Sequence, residues 1–162
     1  AAASGRPRRP PVWLMVAAFS AASAAVALGW LDYRAGKVAE AARQARAAAV
    51  VDSERLFSYD YRRIDADIAE TKRRLTGQMA SDYAKTSAPL ATLAVRYKGV
   101  VTASVSAAGI VRADADEVVV LLFLNQETTQ SQVSTRKVDQ NRVRVTMKKV
   151  DDDWRIAKAE AL

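Results

Sequence analysis

The chain has no cysteine and no histidine, and only four prolines and six glycines in 162 residues. Without cysteine there is no thiol nucleophile and no disulfide, and without thiolate or imidazole the usual ligands of zinc and copper are missing. Histidine is also the commonest proton shuttle at neutral pH. Thiol, triad and zinc chemistry are therefore excluded, and no metal or cofactor is expected. Any domain exported from the cytoplasm would have to be held together by its apolar core alone.

Charge is missing altogether from one stretch, Pro11–Leu31, which reads PVWLMVAAFSAASAAVALGWL over 21 residues. As a helix this run would rise roughly 31 Å at about 1.5 Å per residue, against roughly 30 Å for the hydrocarbon core of a bilayer. Trp13 and Trp30 stand near its two ends, where indole favours the headgroup zone, and Arg6, Arg8 and Arg9 precede it as a basic tail. The pattern predicts a single plasma-membrane span with a cytoplasmic N-terminus. Two other readings compete. Small-residue sites such as Ala22-Ser23-Ala24 fit a cleaved signal, although the apolar run continues past them, and a buried helix of a soluble domain would need apolar surroundings that the rest of the chain does not supply. Within the span Ala21, Ala25 and Gly29 recur every four residues, with Ala18 and Ala22 beside them. They form a candidate docking face, since small residues let helices approach closely in lipid.

The net charge of +7 also depends on the tail. Three of the 25 Lys and Arg lie there, which leaves 22 beyond the span against all 18 Asp and Glu. That mild, dispersed excess reads as solvated surface and predicts no nucleic-acid partner. Length permits one domain after the span. The expected organisation is a cytoplasmic basic tail (1–10), a transmembrane helix (11–31), a helical stalk (32–57) and an extracytoplasmic domain (58–162).

The stalk is rich in alanine, giving good helix propensity but little area to bury, and Ala41, Ala45, Ala48 and Val51 offer at most a narrow seam for another helix. Ser58 is a candidate N-cap for an amphipathic helix carrying Tyr61, Ile64, Ile68 and Leu75, with Glu70 and Arg74 as an i,i+4 pair. Thr76-Gly77 interrupts it. A second, shorter helix with Met79 and Tyr83 is expected to end before Pro89. From Tyr97 the apolar period changes to two. One strand runs to about Arg112, Asp114-Ala115-Asp116 turns, and Glu117–Asn125 holds VVVLLFL, apolar on both faces as in a central strand covered from both sides. Gln126–Lys137 fits either a loop or the distal ends of two long strands. Val138–Val150 alternates cleanly, Asp151-Asp152-Asp153 turns again, and a last strand begins at Trp154. Helices followed by antiparallel strands is an α+β order, with helices on one face of a curved sheet and Tyr61, Leu122 and Trp154 as its core anchors.

Several of these residues also carry a resemblance. Tyr59-Asp60-Tyr61 with Asp65, Leu75-Thr76-Gly77, Tyr83, Val118–Gln126, Val138–Val143 with Thr146-Met147, and Val150-Asp151 followed by Trp154 resemble the actinobacterial membrane proteins associated with mammalian-cell-entry (Mce) systems. The resemblance implies a nuclear-transport-factor-like cone and a non-enzymatic accessory subunit of envelope complexes that move lipids or sterols. The partners it implies are the plasma membrane and other Mce-complex subunits, and it is compatible with a homo-oligomer. The same architecture, one span and one exported cone, also occurs in VirB8-like subunits of conjugation and secretion systems, the alternative reading. A third class is a small apolar-ligand or isomerase-type domain with an Asp base, for which Asp60, Asp65, Asp82 and Asp139 are candidates by residue type alone. Each is better explained as a surface or capping carboxylate, as Asp60 is by the first turn of a helix.

Overall fold

A computed structural model describes residues 12–131 and 133–162, with the side chains of 12–28, Leu31 and 133–136 outside the description. The chain divides into two compact units, Ala1–Lys37 and Val38–Leu162. In order the elements are α1 (Val12–Leu56), β1 (Tyr59–Asp60), α2 (Ile64–Arg73), α3 (Gly77–Tyr97), β2 (Val100–Ala113), β3 (Glu117–Gln130), β4 (Val133–Val150) and β5 (Asp153–Ala161). Apart from the two-residue β1, helices precede strands, as the change of apolar period requires. Among the described residues no helix is long and apolar enough to cross a membrane; the side chains of most of Pro11–Leu31 lie outside the description.

The five strands form one antiparallel sheet in sequential order, so β3 is its centre. Two register shifts in the β2–β3 pairing and one between β4 and β5 bend it. The polar stretch after Asn125 resolves as strand: Thr128 pairs with Lys137 and Gln130 with Val133, so two long strands meet in a hairpin. At the β4–β5 turn, Asp151 (φ 51°) and Asp152 (φ 63°) both adopt the left-handed conformation that a two-residue hairpin of the right twist demands.

The core lies on the inner face. Val118, Val120 and Leu122 of β3 pack with Val143, Val145 and Met147 of β4 and Trp154 and Ile156 of β5. Leu75 closes this cluster, forming an isolated bridge with Ile156. The interior of the cone is thus filled by side chains.

Several local expectations are corrected by tertiary context. The second half of α1 is a core element more than a stalk: Ala41, Ala45 and Ala49 are buried in the main cluster, and their small size lets the helix sit close to the sheet. Val51, assigned to the seam, is 54% exposed. Ser58 does not cap a helix. Its hydroxyl oxygen accepts the Ala103 N–H at 2.8 Å, and α2 starts after Arg63 with no side-chain cap. Glu70 does not pair with Arg74, which turns to Asp52 and Asp153 instead, while Glu70 faces Arg55 and Arg63. Helix α3 runs straight through Pro89. A proline there forgoes one backbone bond, to the carbonyl of Lys85, and both residues lie on the wet side of the helix where water can replace it.

The expectation that β3 is covered on both faces is also corrected. Val118, Val120, Leu122 and Leu124 are buried, whereas Val119 and Leu121 are half-buried and Phe123 is 43% exposed. Among the described residues the outer row of β3 is thus only partly covered.

The free edge of β2 is held differently. β1 covers only Val100 and Val101. Beyond it, the Val105 N–H donates to Glu54 Oε1 at 2.8 Å and Arg46 Nε donates to the Ala108 carbonyl at 3.1 Å, so side chains from the end of α1 stand in for a missing strand.

Candidate functional site

A base working in an apolar cone needs a cavity and a carboxyl held near neutral pH. Neither is found with the four carboxylates singled out from sequence. Asp60 lies at the surface beside α2, where it accepts the Arg62 backbone N–H at 2.9 Å and Arg62 Nε at 2.9 Å. Those bonds from Arg62 hold its carboxyl down at about 2, the wrong direction for a base. Asp65 is exposed on α2. Asp82 accepts from Gln78 and pairs with Lys85 at 3.5 Å, and Asp139 pairs with Lys137 at 2.9 Å. The structure brings none of them together and places none in the cone.

The Tyr59-Asp60-Tyr61 triplet lines structure more than solvent. Tyr59 and Tyr61 pack, half-buried, beside a small cluster of Ile64, Ile68 and Ala94, and Tyr83 bridges this cluster to the main core. Burial pushes the phenols of Tyr59 and Tyr83 up. Next to Tyr59 an open groove of about 530 Å³ is rimmed by Glu54, Arg55, Arg63 and Asp67, with Val51, Val100 and Val101 also in its lining.

The buried ion pair between Asp52 and Arg74 was not legible as such in the sequence. Asp52 is 1% exposed on α1, and Arg74 Nε donates to its Oδ1 at 2.8 Å while Arg74 also reaches Asp153 Oδ2 at 3.2 Å. Burial raises the carboxyl of Asp52, with Arg74 pulling the other way. The hydrogen bond to Asp52 raises Arg74 in turn. These two directions are reconciled by geometry. The fully enclosed carboxylate bears the desolvation, whereas the guanidinium is 30% exposed and keeps part of its water. One signal could have found the pair: Asp52 continues the Ala41, Ala45, Ala49 stripe, so a charge falls where the helix is buried. Arg55, Arg73, Arg155 and Glu70 wall an open groove of about 690 Å³ around Arg74.

Leu122 is 0% and Trp154 4% exposed, both in the main cluster, and Trp154 Nε1 donates to Gln44 Oε1 at 3.4 Å. In the candidate docking stripe, Gly29 is exposed, and the side chains of Ala21 and Ala25 lie outside the described residues. No group of three or more Asp and Glu able to hold a metal ion occurs among the described residues.

The outer face of the sheet is the remaining candidate. Along β3 the side chains of Val119, Leu121 and Phe123 share it with Arg142, Arg144 and Thr146 of β4, because directly paired residues of antiparallel strands point the same way. On the β2 side Phe123 and Leu121 face only Ala107 and Gly109. A hollow of about 300 Å³ opens beside Phe123, lined by Ser106, Asn125, Gln140 and Arg142.

No protein-family model matches the chain. It is 33% identical over 138 residues to an uncharacterized protein of Mycobacterium tuberculosis, covering 82% of this chain and 63% of that relative's length. A second relative from that organism, named as an outer membrane protein, is 29% identical over 136 residues, covering 83% of this chain and 84% of its own length. Among solved structures, an IcmL-like type IV secretion system protein from Legionella pneumophila superposes with a TM-score of 0.62 at 11% identity, over 74% of this chain and 91% of that one. CagV, a VirB8 homolog from Helicobacter pylori, gives 0.54 at 11% identity, over 70% and 96%. The fold of helices on a curved five-stranded antiparallel sheet is therefore a nuclear-transport-factor-like fold, shared with these solved structures.

Proposed function

We propose that this chain is a non-enzymatic assembly subunit of a multiprotein complex in the cell envelope, tethered by Pro11–Leu31 with its N-terminus in the cytoplasm and its folded domain outside. The observation that carries this reading is the filled cone. Leu122, Met147, Trp154 and Ile156 occupy the interior among the described residues, so what the domain offers a partner is its surface. A nuclear-transport-factor-like fold by itself fixes no activity. Likeness to secretion-system proteins supports the VirB8-like reading, a structural subunit of a secretion or conjugation assembly. The Mce-associated reading, an accessory subunit of a lipid or sterol transporter, draws its support from the sequence motifs; the name of one mycobacterial relative, an outer membrane protein, agrees with an envelope location and no more.

Support for the tether also comes from the end of the uncharged run and the residues just after it. Trp30 and Tyr33 are exposed, with Arg34 stacked over the Trp30 ring at 4.3 Å and Lys37 over the Tyr33 ring at 4.9 Å. Aromatic rings paired with cations suit a headgroup layer, where one end of each side chain is dry and the other wet.

Purification of the full-length protein in mild detergent, followed by mass spectrometry, tests the assignment. Recovery of channel components of a secretion system supports the VirB8-like reading, and recovery of Mce subunits the other. A protein that purifies without any envelope partner overturns both. For topology, a cysteine replacing the exposed Ser81 should react with a membrane-impermeant maleimide in intact cells, and one replacing Ser4 should not. The reverse pattern would invert the orientation.

A further inference from the structure

We propose that the groove around Arg74 is a binding site for the phosphate group of a singly charged phosphate ester. This goes beyond the assembly reading and does not depend on it.

Three parts of the chain bring cations to this groove: Arg55 from the end of α1, Arg73 and Arg74 from the end of α2, and Arg155 from β5. Like charges gathered in one place repel, so they need counter-charge from the fold or from a ligand. The fold supplies it only in part. Glu70 and Asp153 share the lining and the buried Asp52 adds a third carboxylate, so four cations face three anions.

Hydrogen bonding is more one-sided than charge. Arg74 donates to Asp52 and Asp153, at 2.8 and 3.2 Å. The other three guanidinium groups donate to no carboxylate among the described residues. Arg55 lies 3.9 Å from Asp52 and 3.7 Å from Glu70, and Arg155 lies 4.0 Å from the exposed Asp151, all beyond hydrogen-bond distance. Arg73 has no ion pair there: Glu70, one turn before it, turns its oxygens to Arg55 and Arg63. Arg155 carries a second, independent sign. Its Nε is buried and has no acceptor among the described residues, and a buried N–H left unpaired is rare in a folded protein.

The donor set selects the ligand. A carboxylate offers two oxygens in one plane, which a single guanidinium fork satisfies, whereas the tetrahedral oxygens of a phosphate can be met by forks from several sides. The edge of Arg155 formed by Nε and one Nη takes two oxygens of one anion, so a bound phosphate supplies the acceptor that the chain does not. One surplus positive charge matches one negative charge, that of a phosphodiester. A nucleic-acid strand fits worse, because grooves that hold strands track a run of phosphates and this one gathers its cations at a single place.

The test titrates the full-length protein in nonionic detergent, by calorimetry at constant ionic strength, with glycerophosphoglycerol, a soluble phosphodiester. Saturable binding is expected, and acetate should not compete. Arg73→Gln with Arg155→Gln should weaken binding roughly tenfold or more, since two charge-assisted forks are lost. Arg73→Lys with Arg155→Lys, which keeps the charge without the fork, should fall in between. Arg142→Gln with Arg144→Gln, on the outer face of the sheet, should change nothing. Dihexanoyl phosphatidylglycerol, the same headgroup with acyl chains, separates the sources: tighter binding than the chainless probe assigns the site to a lipid headgroup, and equal or weaker binding to a water-soluble ester. Binding of neither probe overturns the proposal, as do displacement by acetate, an equal loss in the outer-face variant, and a folded Arg73→Gln, Arg155→Gln protein that binds normally. Should the change at Arg155 unfold the domain, Arg73→Glu alone, at an exposed position, must still weaken binding, and normal binding by it is equally fatal.

Discussion

Leu122 and Phe123 are neighbours in the chain and lie on opposite faces of the same strand. The inner face of β3 is packed to 0–1% exposure by Val118, Val120, Leu122 and Leu124; the outer face carries the equally apolar Val119, Leu121 and Phe123, which are half-buried or exposed. Residue type does not distinguish the two. What differs is whether this chain itself supplies the cover, and the difference teaches that residue type alone does not tell a core row from a surface row.

The comparison is tested most strongly by truncation on each face. Trp154→Ala and Leu122→Ala should each cost about 2–5 kcal/mol, much of the ~5–15 kcal/mol by which a domain is stable, because each opens a cavity in the main cluster. Phe123→Ala should cost about 1 kcal/mol or less in the isolated protein, and Arg144→Ala less still. Chemical denaturation of the four variants measures this, and equal losses for Leu122→Ala and Phe123→Ala would erase the distinction between the faces.

A comparable contrast applies to charge. Arg74→Ala leaves Asp52 ionised and enclosed, a loss of about 3–5 kcal/mol for an uncompensated buried charge. Asp52→Asn should cost clearly less, since burial already opposes the ionised form and the amide oxygen can still accept from Arg74. Were Asp52→Asn the worse of the two in a thermal melt, the pair would be a net source of stability instead of a compromise.

The smallest effects are those of pH. The carboxyl of Asp60 is lowered to about 2, so its contribution is present above about pH 4 and is lost as pH falls toward 2. Asp52 has the opposite sign. Its folded-state pKa is raised above 3.8, so the folded form holds the extra proton and stability falls as pH rises through that window. Melts of Asp52→Asn and Asp60→Asn between pH 2.5 and 7, set against the wild type, should diverge in opposite directions.

The strands were the legible part of the sequence. In β4, Val143, Val145 and Met147 turn inward and Arg142 and Arg144 outward, as the period of two demands. The break at Gly77, the turn at residues 114–116 and the central place of β3 also followed from local chemistry. The failures share a cause. Ser58, Asp52 and Arg74 have local roles available to them, as cap, helix-surface charge and i,i+4 partner. Each is instead claimed by a group at least 22 residues away, Ala103 for Ser58 and the Asp52–Arg74 pair for each other. Pro89 is tolerated in a helix because the carbonyl it abandons faces water, and periodicity does not encode that. The candidate site was the least legible of all, since alternation separates two faces of a strand without saying which one the chain covers.

The clasp that α1 places on β2 has a consequence in time. Arg46, Glu54 and Ser58 are synthesised before Ala103, Val105 and Ala108, so the groups that occupy the strand's exposed amides and carbonyls leave the ribosome ahead of the strand. When β2 emerges, its guard is already waiting. Reversing that order, as in a circular permutant that begins at β2, would let the naked strand meet other nascent chains first, and aggregation during translation would be the outcome even if the finished fold were equally stable.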